Sequence, residues 1–363
     1  MKALVFESAD KIALRDVPRP RITDDEDALV RCLATTICGT DIHLVKGKIP
    51  GMRPGQILGH EMVGRIEEVG DKVGRLAPGD RVVVPSTIAC GRCLMCRQGE
   101  FAHCLTLLGG ETAFFGGPLS AGGFPGLQAE YARVPFADVG LVKIPDDVDD
   151  DAALALSDIF PTAYFAIDIA QVSEGDAVAV FGCGPVGLYA VLSAAIRGAT
   201  PIFAIDREPA RLELARRFPN CVPIDYSREN PVEIIRKETR VGVDVAVDCV
   251  GMEATDPSGR QAPQQAQAWA LECVRNTGVV STVGLYGQLE SYPLGRVVSK
   301  NLSLVAGNCN HRAYLADLLD YLRSHPGDGK FVWSHRMHLA EAERAYEMFI
   351  RKEDGMVKPF LTP

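Results

Sequence analysis

Nowhere in the 363 residues do 18 uncharged apolar residues run together, so no membrane-spanning helix is expected. The chain also lacks any basic stretch, and its formal net charge of -9 leaves no electrostatic footprint for nucleic acid. Its opening residues, MKALVFESADKIALRDVP, have neither the sustained apolar core nor the small-residue cleavage site of a secretory signal. They alternate polar and apolar like a strand, and a cytoplasmic protein is expected. No linker, internal repeat or low-complexity tract is visible: the 35 glycines and 23 prolines are spread along the chain and mark turns rather than disorder. What is present is 47% apolar content, ample for two hydrophobic cores at about two domains' length.

Eleven cysteines in a short secreted chain would suggest disulfides, but this chain is long, unsecreted in appearance and odd in its count. Reduced thiols and metal ligation fit better. Cys90, Cys93, Cys96 and Cys104 fall within the single stretch ACGRCLMCRQGEFAHC. Four closely spaced thiolates on a Gly-containing loop can close a tetrahedral zinc site that needs no outside ligand, so this ion should stabilise a lobe and perform no chemistry. The alternatives are an iron-sulfur cluster and chance clustering. The commonest bacterial cluster pattern places its last cysteine three residues on and follows it with proline. Here the gap is seven residues and Leu105 follows.

Two further segments stand earlier: CGTDIH, from Cys38 to His43, and GHE, from Gly59 to Glu61. Cys38 and His60 are too far apart for the local spacing of a zinc finger, so any site they share is assembled by the fold. The remaining cysteines, Cys32, Cys183, Cys221, Cys249, Cys273 and Cys309, sit in contexts that suit small core residues, and none is assigned to metal.

From Ala177 the chain reads AVAVFGCGPVGLYAVLSAAIRGATPIFAIDREPARLELA. An apolar run ends in Gly182, the triplet closes through Gly184 and Gly187, a helix-like stretch opens with Pro185 and Val186, and Asp206 ends the next apolar run. The strand before, the helix after and the acid beyond give this Gly-x-Gly-x-x-Gly its weight as a dinucleotide site. Gly182 permits the tight turn, Gly184 a close approach to the pyrophosphate, and Gly187 close helix-strand contact. Asp206 can accept the ribose hydroxyls of NAD and repels the 2'-phosphate of NADP, so NAD is expected. Continued alternation of strand-like and helix-like segments predicts a doubly wound parallel sheet.

Taken together, Cys38-Gly39-Thr40-Asp41-x-His43, Gly59-His60-Glu61-x-x-Gly64, Gly79-Asp80-Arg81-Val82 and the four-cysteine stretch resemble the zinc-containing medium-chain alcohol dehydrogenases, in that family's order. The resemblance implies an α/β chain: a discontinuous, β-rich GroES-like catalytic domain at 1–156 and 308–363, and a Rossmann NAD-binding domain at 157–307. It implies Cys38 and His60 as the first two ligands of a catalytic zinc. Many relatives have cysteine as the third; here the segment ALALSDIFPTAYFA offers Asp158, resembling the branch with glutathione-independent formaldehyde dehydrogenases and aldehyde dismutases. A Cys, His, Asp set leaves open the fourth position that catalysis needs. By the same resemblance Thr40 contacts the substrate oxygen, His43 lies nearer solvent in a proton relay, and Glu61 acts beside His60 or as a transient ligand.

The cofactor positions implied are Thr162 against the nicotinamide, Arg211 near the adenosine ribose, Val250, Leu285, and Lys358 near the phosphates. Two zinc ions per chain, NAD, a small alcohol or aldehyde substrate and a homodimer or homotetramer pairing through LSLVAGN are therefore expected. The segment EATDPSGRQAPQQA, longer than such loops usually are, resembles an insertion in the formaldehyde dehydrogenase branch or is a plain surface loop. A polyol- or threonine-type dehydrogenase, an aldehyde dismutase and a non-catalytic nucleotide-binding protein are the alternative functions.

Overall fold

A computed structural model describes residues 1–287 and 291–363. The chain falls into two compact units, Met1–Pro161 with Asn310–Pro363, and Thr162–Cys309. The divisions lie at Pro161/Thr162 and Cys309/Asn310, a few residues beyond the 156/157 and 307/308 expected, and they leave Asp158 in the first unit.

The first unit is β-rich. Among the described residues one sheet runs Trp333–His338, Lys358–Thr362, Ala28–Thr35, Met62–Val69, Arg81–Val84 and Val142–Lys143, with Tyr131–Val134 also paired to Ala28–Thr35. Register aligns three strand ends: Thr35 stands opposite Met62, and Met62 opposite Val84. The residues just beyond those ends, Cys38, His60 and Ser86, are thereby delivered to one place. The N-terminal segment makes an antiparallel hairpin of Lys2–Ser8 and Lys11–Asp16, where the alternation suggested one strand; Asp10, at φ 61°, lies in the turn. Ala3, Leu4 and Val5 are buried in succession because the first strand is covered on both faces.

The second unit holds a parallel sheet in the order Cys221–Asp225, Ile202–Asp206, Val178–Phe181, Val243–Asp248, Val274–Thr282, Ser303–Ala306. In chain order that is third, second, first, fourth, fifth, sixth, the doubly wound arrangement. Val178–Phe181 and Ile202–Asp206 are buried at every position, as strands covered on both faces must be, which is why they read as unbroken apolar runs. The segment after Gly251 is ordered: Thr255 bridges Gln261, and Asp256 accepts from the Arg260 N–H at 3.0 Å.

No single helix among the described residues is long and apolar enough to cross a membrane; the bent pair Asp150–Ser157 and Ile159–Ile169 passes that test only jointly. Ala152, Ala153 and Leu154 of that pair are fully buried in the first unit's core.

Candidate metal centres and cofactor site

Cys90, Cys93, Cys96 and Cys104 converge, each offering one sulfur, with all four sulfurs within 4.8 Å of one another. Local geometry brings them there. Gly91 turns at φ +73°, Cys93 caps the short helix Leu94–Arg97, and the Cys93 and Cys96 sulfurs stand 3.4 Å apart. That separation is far too long for a disulfide and close to the edge of about 3.8 Å in a tetrahedron with 2.3 Å zinc-sulfur bonds. The backbone N–H of Cys96 pulls the Cys93 thiol down to about 6, against the effect of burial, so the fold already favours a thiolate there. The Cys90 N–H likewise points at the Cys104 sulfur, 3.4 Å away. The donor set fits a structural zinc.

The second cluster is assembled from distant parts of the first unit: Cys38, His60, Glu61 and Asp158 also place one ligand atom each within 4.8 Å. Cys38 caps the helix Gly39–Val45, and its N–H donates to Asp41 Oδ2 at 2.9 Å. The other oxygen, Asp41 Oδ1, lies 3.1 Å from His60 Nδ1, which orients the ring so that Nε2 faces the cluster. Gly59 precedes it at φ +88°, where a Cβ would lie 2.4 Å from Gln128 Cγ, so only glycine fits. Gln128 braces the same network: its Nε2 donates to the Thr36 carbonyl at 2.9 Å and to Asp41 Oδ2 at 3.3 Å, and the Tyr346 hydroxyl donates to its Oε1 at 2.9 Å.

Asp158 follows Ser157, whose carbonyl accepts from the Ser86 N–H at 2.9 Å. Asp158 Oδ2 lies 3.5 Å from both Cys38 Sγ and His60 Nε2. Oδ1 accepts from His311 Nε2 at 2.8 Å and from Ser86 Oγ at 3.4 Å. Burial alone would push the Asp158 carboxyl up, but the hydrogen bonds from His311 and His60 hold it well below the usual carboxylate range. Burial and the neighbouring Asp158 charge push the Cys38 thiol up. A divalent cation reverses that direction, because coordination favours the thiolate. A buried thiol, imidazole and two carboxylates converging this closely fit such a cation.

Two residues take positions other than those expected. Lys358, implied at the cofactor phosphates, is fully buried in the first unit; its ammonium donates to Glu61 Oε1 at 2.7 Å and to the Ile37 carbonyl at 2.9 Å. Strand Lys358–Thr362 lies inside the sheet, so its first side chain points inward, where a carboxylate partner makes the charge tolerable. Burial pushes the Glu61 carboxyl up to about 7, with the Lys358 charge opposing. His43, expected nearer solvent, is 5% exposed, because the helix turns that face into the core beside Ile42 and Leu44. Thr40, on the same helix, is half-buried.

Asp41, Ser86, Thr87, Gln128 and His311 complete the site, and none of them was expected there from the sequence. Asp41 lies inside the CGTDIH motif and was open to recognition as a support for His60. His311 had no local signal, since its partner Asp158 is 153 residues away.

In the second unit Gly182 ends strand Val178–Phe181 at φ +86°, and a Cβ there would lie 2.5 Å from Val250 Cγ2. Gly184 caps the helix Pro185–Ile196, with Val186 in its first turn; a Cβ on Gly184 would meet nothing nearer than Arg211 Nη1 at 3.8 Å, leaving the backbone open to approach. A Cβ on Gly187 would lie 1.6 Å from the Gly182 carbonyl, so helix and strand touch there. An open glycine cap at a helix N-terminus suits a pyrophosphate.

Asp206 is already engaged by the protein. Its oxygens accept from the backbone N–H groups of Cys183 at 2.7 Å, Arg207 at 2.7 Å and Glu208 at 2.9 Å, and Arg211 Nη1 lies 3.6 Å from Oδ2. Leu285 receives the Met252 N–H, and Val250 N–H donates to Asp248. Thr162 sits half-buried on helix Ile159–Ile169. Phe181, Ile205, Tyr226, Val250 and Trp269 line an apolar slot against Gly182, and Thr255 of the inserted segment closes it by bonding Tyr226 hydroxyl to hydroxyl at 2.7 Å.

Residues 24–146 match the family described as alcohol dehydrogenase GroES-like domain, and residues 185–324 the zinc-binding dehydrogenase family. The chain is 34% identical over 381 residues to an uncharacterized zinc-type alcohol dehydrogenase-like protein, AdhB of Bacillus subtilis (strain 168), covering 100% of each. It is also 34% identical over 304 residues to a glutathione-independent formaldehyde dehydrogenase of Pseudomonas aeruginosa, covering 78% of this chain and 75% of that one. The solved structure of alcohol dehydrogenase TADH from Thermus sp. ATN1 superposes with a TM-score of 0.89 at 40% identity, over 100% of this chain and 99% of that one. The chain belongs to the zinc-dependent medium-chain dehydrogenase/reductase family, the alcohol dehydrogenases, and is an oxidoreductase with a GroES-like domain and a Rossmann fold.

Proposed function

We propose that this oxidoreductase binds two zinc ions per chain and interconverts an alcohol, or an aldehyde hydrate, with its oxidised product using NAD. The observation that carries the reading is the convergence of Cys38, His60 and Asp158 in a buried cluster separate from the four-cysteine lobe. When bound, zinc at that cluster supplies a Lewis acid for the substrate oxygen and NAD supplies the hydride acceptor. Each oxidation releases one hydride, to the cofactor, and one proton. Thr40 Oγ1 would take the proton from the substrate hydroxyl, and the buried His43 on the same helix would accept it from there. Glu61, tied to Lys358, would offer a bound ion a second carboxylate beside His60.

In the second unit the N–H groups opening helix Pro185–Ile196 would hold the pyrophosphate, and the slot beside Gly182 would suit the adenine. Asp206 has about one acceptor position left after three backbone bonds, enough for a ribose hydroxyl and hostile to a 2'-phosphate. Asp158 standing where many relatives have cysteine and the 34% identity to a formaldehyde dehydrogenase support a small aldehyde or alcohol as substrate. Strand Ser303–Ala306 is a sheet edge, and Leu294, Val298 and Leu304 are 61%, 67% and 43% exposed. An edge of that kind supports a homodimer or homotetramer that pairs it.

The test is turnover of an alcohol and aldehyde panel with NAD and NADP, for the wild type and Asp206→Gly. The wild type should prefer NAD, and the variant should lose about 10-fold in NAD use while gaining NADP use. A wild type that prefers NADP overturns the cofactor assignment.

A further inference from the structure

Asp158 has two oxygens, and the open metal site needs one. A carboxylate closing on the ion with both oxygens would occupy the position that a substrate must enter. In the structure the oxygens are already divided. Oδ2 faces Cys38 Sγ and His60 Nε2, at 3.5 Å from each, whereas Oδ1 is turned to His311 Nε2 at 2.8 Å. A carboxylate oxygen has no proton to give, so His311 Nε2 carries the hydrogen. The other ring nitrogen, His311 Nδ1, lies 3.2 Å from Thr87 Oγ1. Ser86 Oγ adds a weaker contact to Oδ1 at 3.4 Å.

The ring that does this is held on several sides. His311 is 3% exposed and starts the helix His311–Ser324. Its neighbour Asn310 fixes that helix start to the cysteine lobe: Asn310 Oδ1 accepts from the Ala102 N–H at 2.8 Å, and Asn310 Nδ2 donates to Glu100 Oε2 at 2.7 Å. Both lobe residues lie between Cys96 and Cys104 in the chain.

We propose that His311 is the positioning residue that makes Asp158 a one-oxygen ligand, by occupying Oδ1 and so keeping the substrate's coordination position open. The inference rests on the reading of Asp158 as the third ligand of the open site. Without the Nε2–H donor, Oδ1 loses its short bond and keeps the longer Ser86 contact, and the carboxylate swings to give the metal both oxygens. The site then carries one ligand more, substrate competes with Oδ1, and turnover falls while cofactor affinity stays. A purely structural histidine would lower the melting temperature and leave the metal's ligand count alone.

The experiment exchanges the open-site zinc for cobalt(II) in the wild type, His311→Leu, His311→Gln and Asp158→Ala, and reads the visible d–d bands, whose intensity falls as cobalt gains ligands beyond four. His311→Leu should lose most of the four-coordinate intensity. His311→Gln, whose amide N–H can replace Nε2–H, should recover it. If His311→Leu does not fold, Thr87→Val, which removes the hydroxyl beside the ring, should show a smaller change of the same kind. Wild-type bands in His311→Leu, or in Thr87→Val where that is the variant read, overturn the inference. The underlying reading fails separately: Asp158→Ala that keeps its open-site metal removes Asp158 from the ligand set.

Discussion

The four-cysteine lobe and the Cys38–His60–Asp158 cluster lie in the same unit and gather ligands in opposite ways. The lobe takes all its donors from one loop and surrounds them with backbone N–H groups, which stabilise thiolates without any distant side chain. The open cluster takes its donors from just beyond the ends of two aligned strands and from the segment after Ser157. Its orientation depends on a surrounding layer: Asp41, Gln128 and Tyr346 behind His60, and His311 and Ser86 behind Asp158. Local ligands make a site whose donors need no distant side chain to bring them together. Distant ligands make a site that can be left open, at the cost of a second layer to aim it. Asn310 and His311, adjacent in sequence, reach one site each.

That contrast is broken most severely at the closed set. Cys93→Ser should lower the zinc content by about one per chain and destabilise the fold by about 3–5 kcal/mol, because structural metal affinity is folding free energy. The open cluster should keep its ion. Metal analysis together with thermal unfolding checks both halves, and an unchanged melting temperature would mean that the lobe is held without metal.

The second layer is tested one step further out. Asp41→Ala removes the carboxylate at His60 Nδ1 and should weaken metal binding at the open site about 10- to 100-fold while leaving the lobe's ion in place. Competition with a graded series of chelators separates the two ions. Equal weakening at both sites would erase the distinction drawn here.

A buried carboxylate with complete partners and no metal provides the baseline. Asp27 is 1% exposed and accepts from the N–H groups of Thr23 and Asp24, both at 2.9 Å, and from Arg133. Burial pushes its carboxyl up, but these bonds hold it below the usual range. A depressed folded pKa contributes stability above the unfolded value and loses it as pH falls through the folded one. Asp27→Asn should therefore cost about 1–3 kcal/mol at neutral pH, with the difference from wild type closing below about pH 4 and zinc content unchanged. Denaturant titrations at several pH values measure this, and a difference that widens on acidification would reverse the assigned sign.

What the sequence made legible follows the same division. The cysteine lobe and the glycine turn are written in short stretches, and periodicity placed strand, turn and helix around Gly182, Gly184 and Gly187 without the fold. Asp41 was within a motif already singled out, yet its partner His60 is 19 residues on, and nothing local says that the two meet. His311 and Lys358 were beyond reach for a stronger reason: polar residues are buried only when a partner waits inside, and those partners, Asp158 and Glu61, come from strand and turn segments far away in the chain. The N-terminal hairpin was read only as a strand-like alternation because its turn at Ala9 and Asp10 carries no glycine or proline to mark it.

The account stands most directly on Asp158, and one preparation of Asp158→Ala decides it. Zinc content and turnover measured on the same sample should show about one zinc fewer per chain and no measurable oxidation of any alcohol that the wild type accepts, with the melting temperature close to that of the wild type. Full zinc content with near-normal turnover would contradict it, and Asp158 would then be a buried partner of His311 and nothing more.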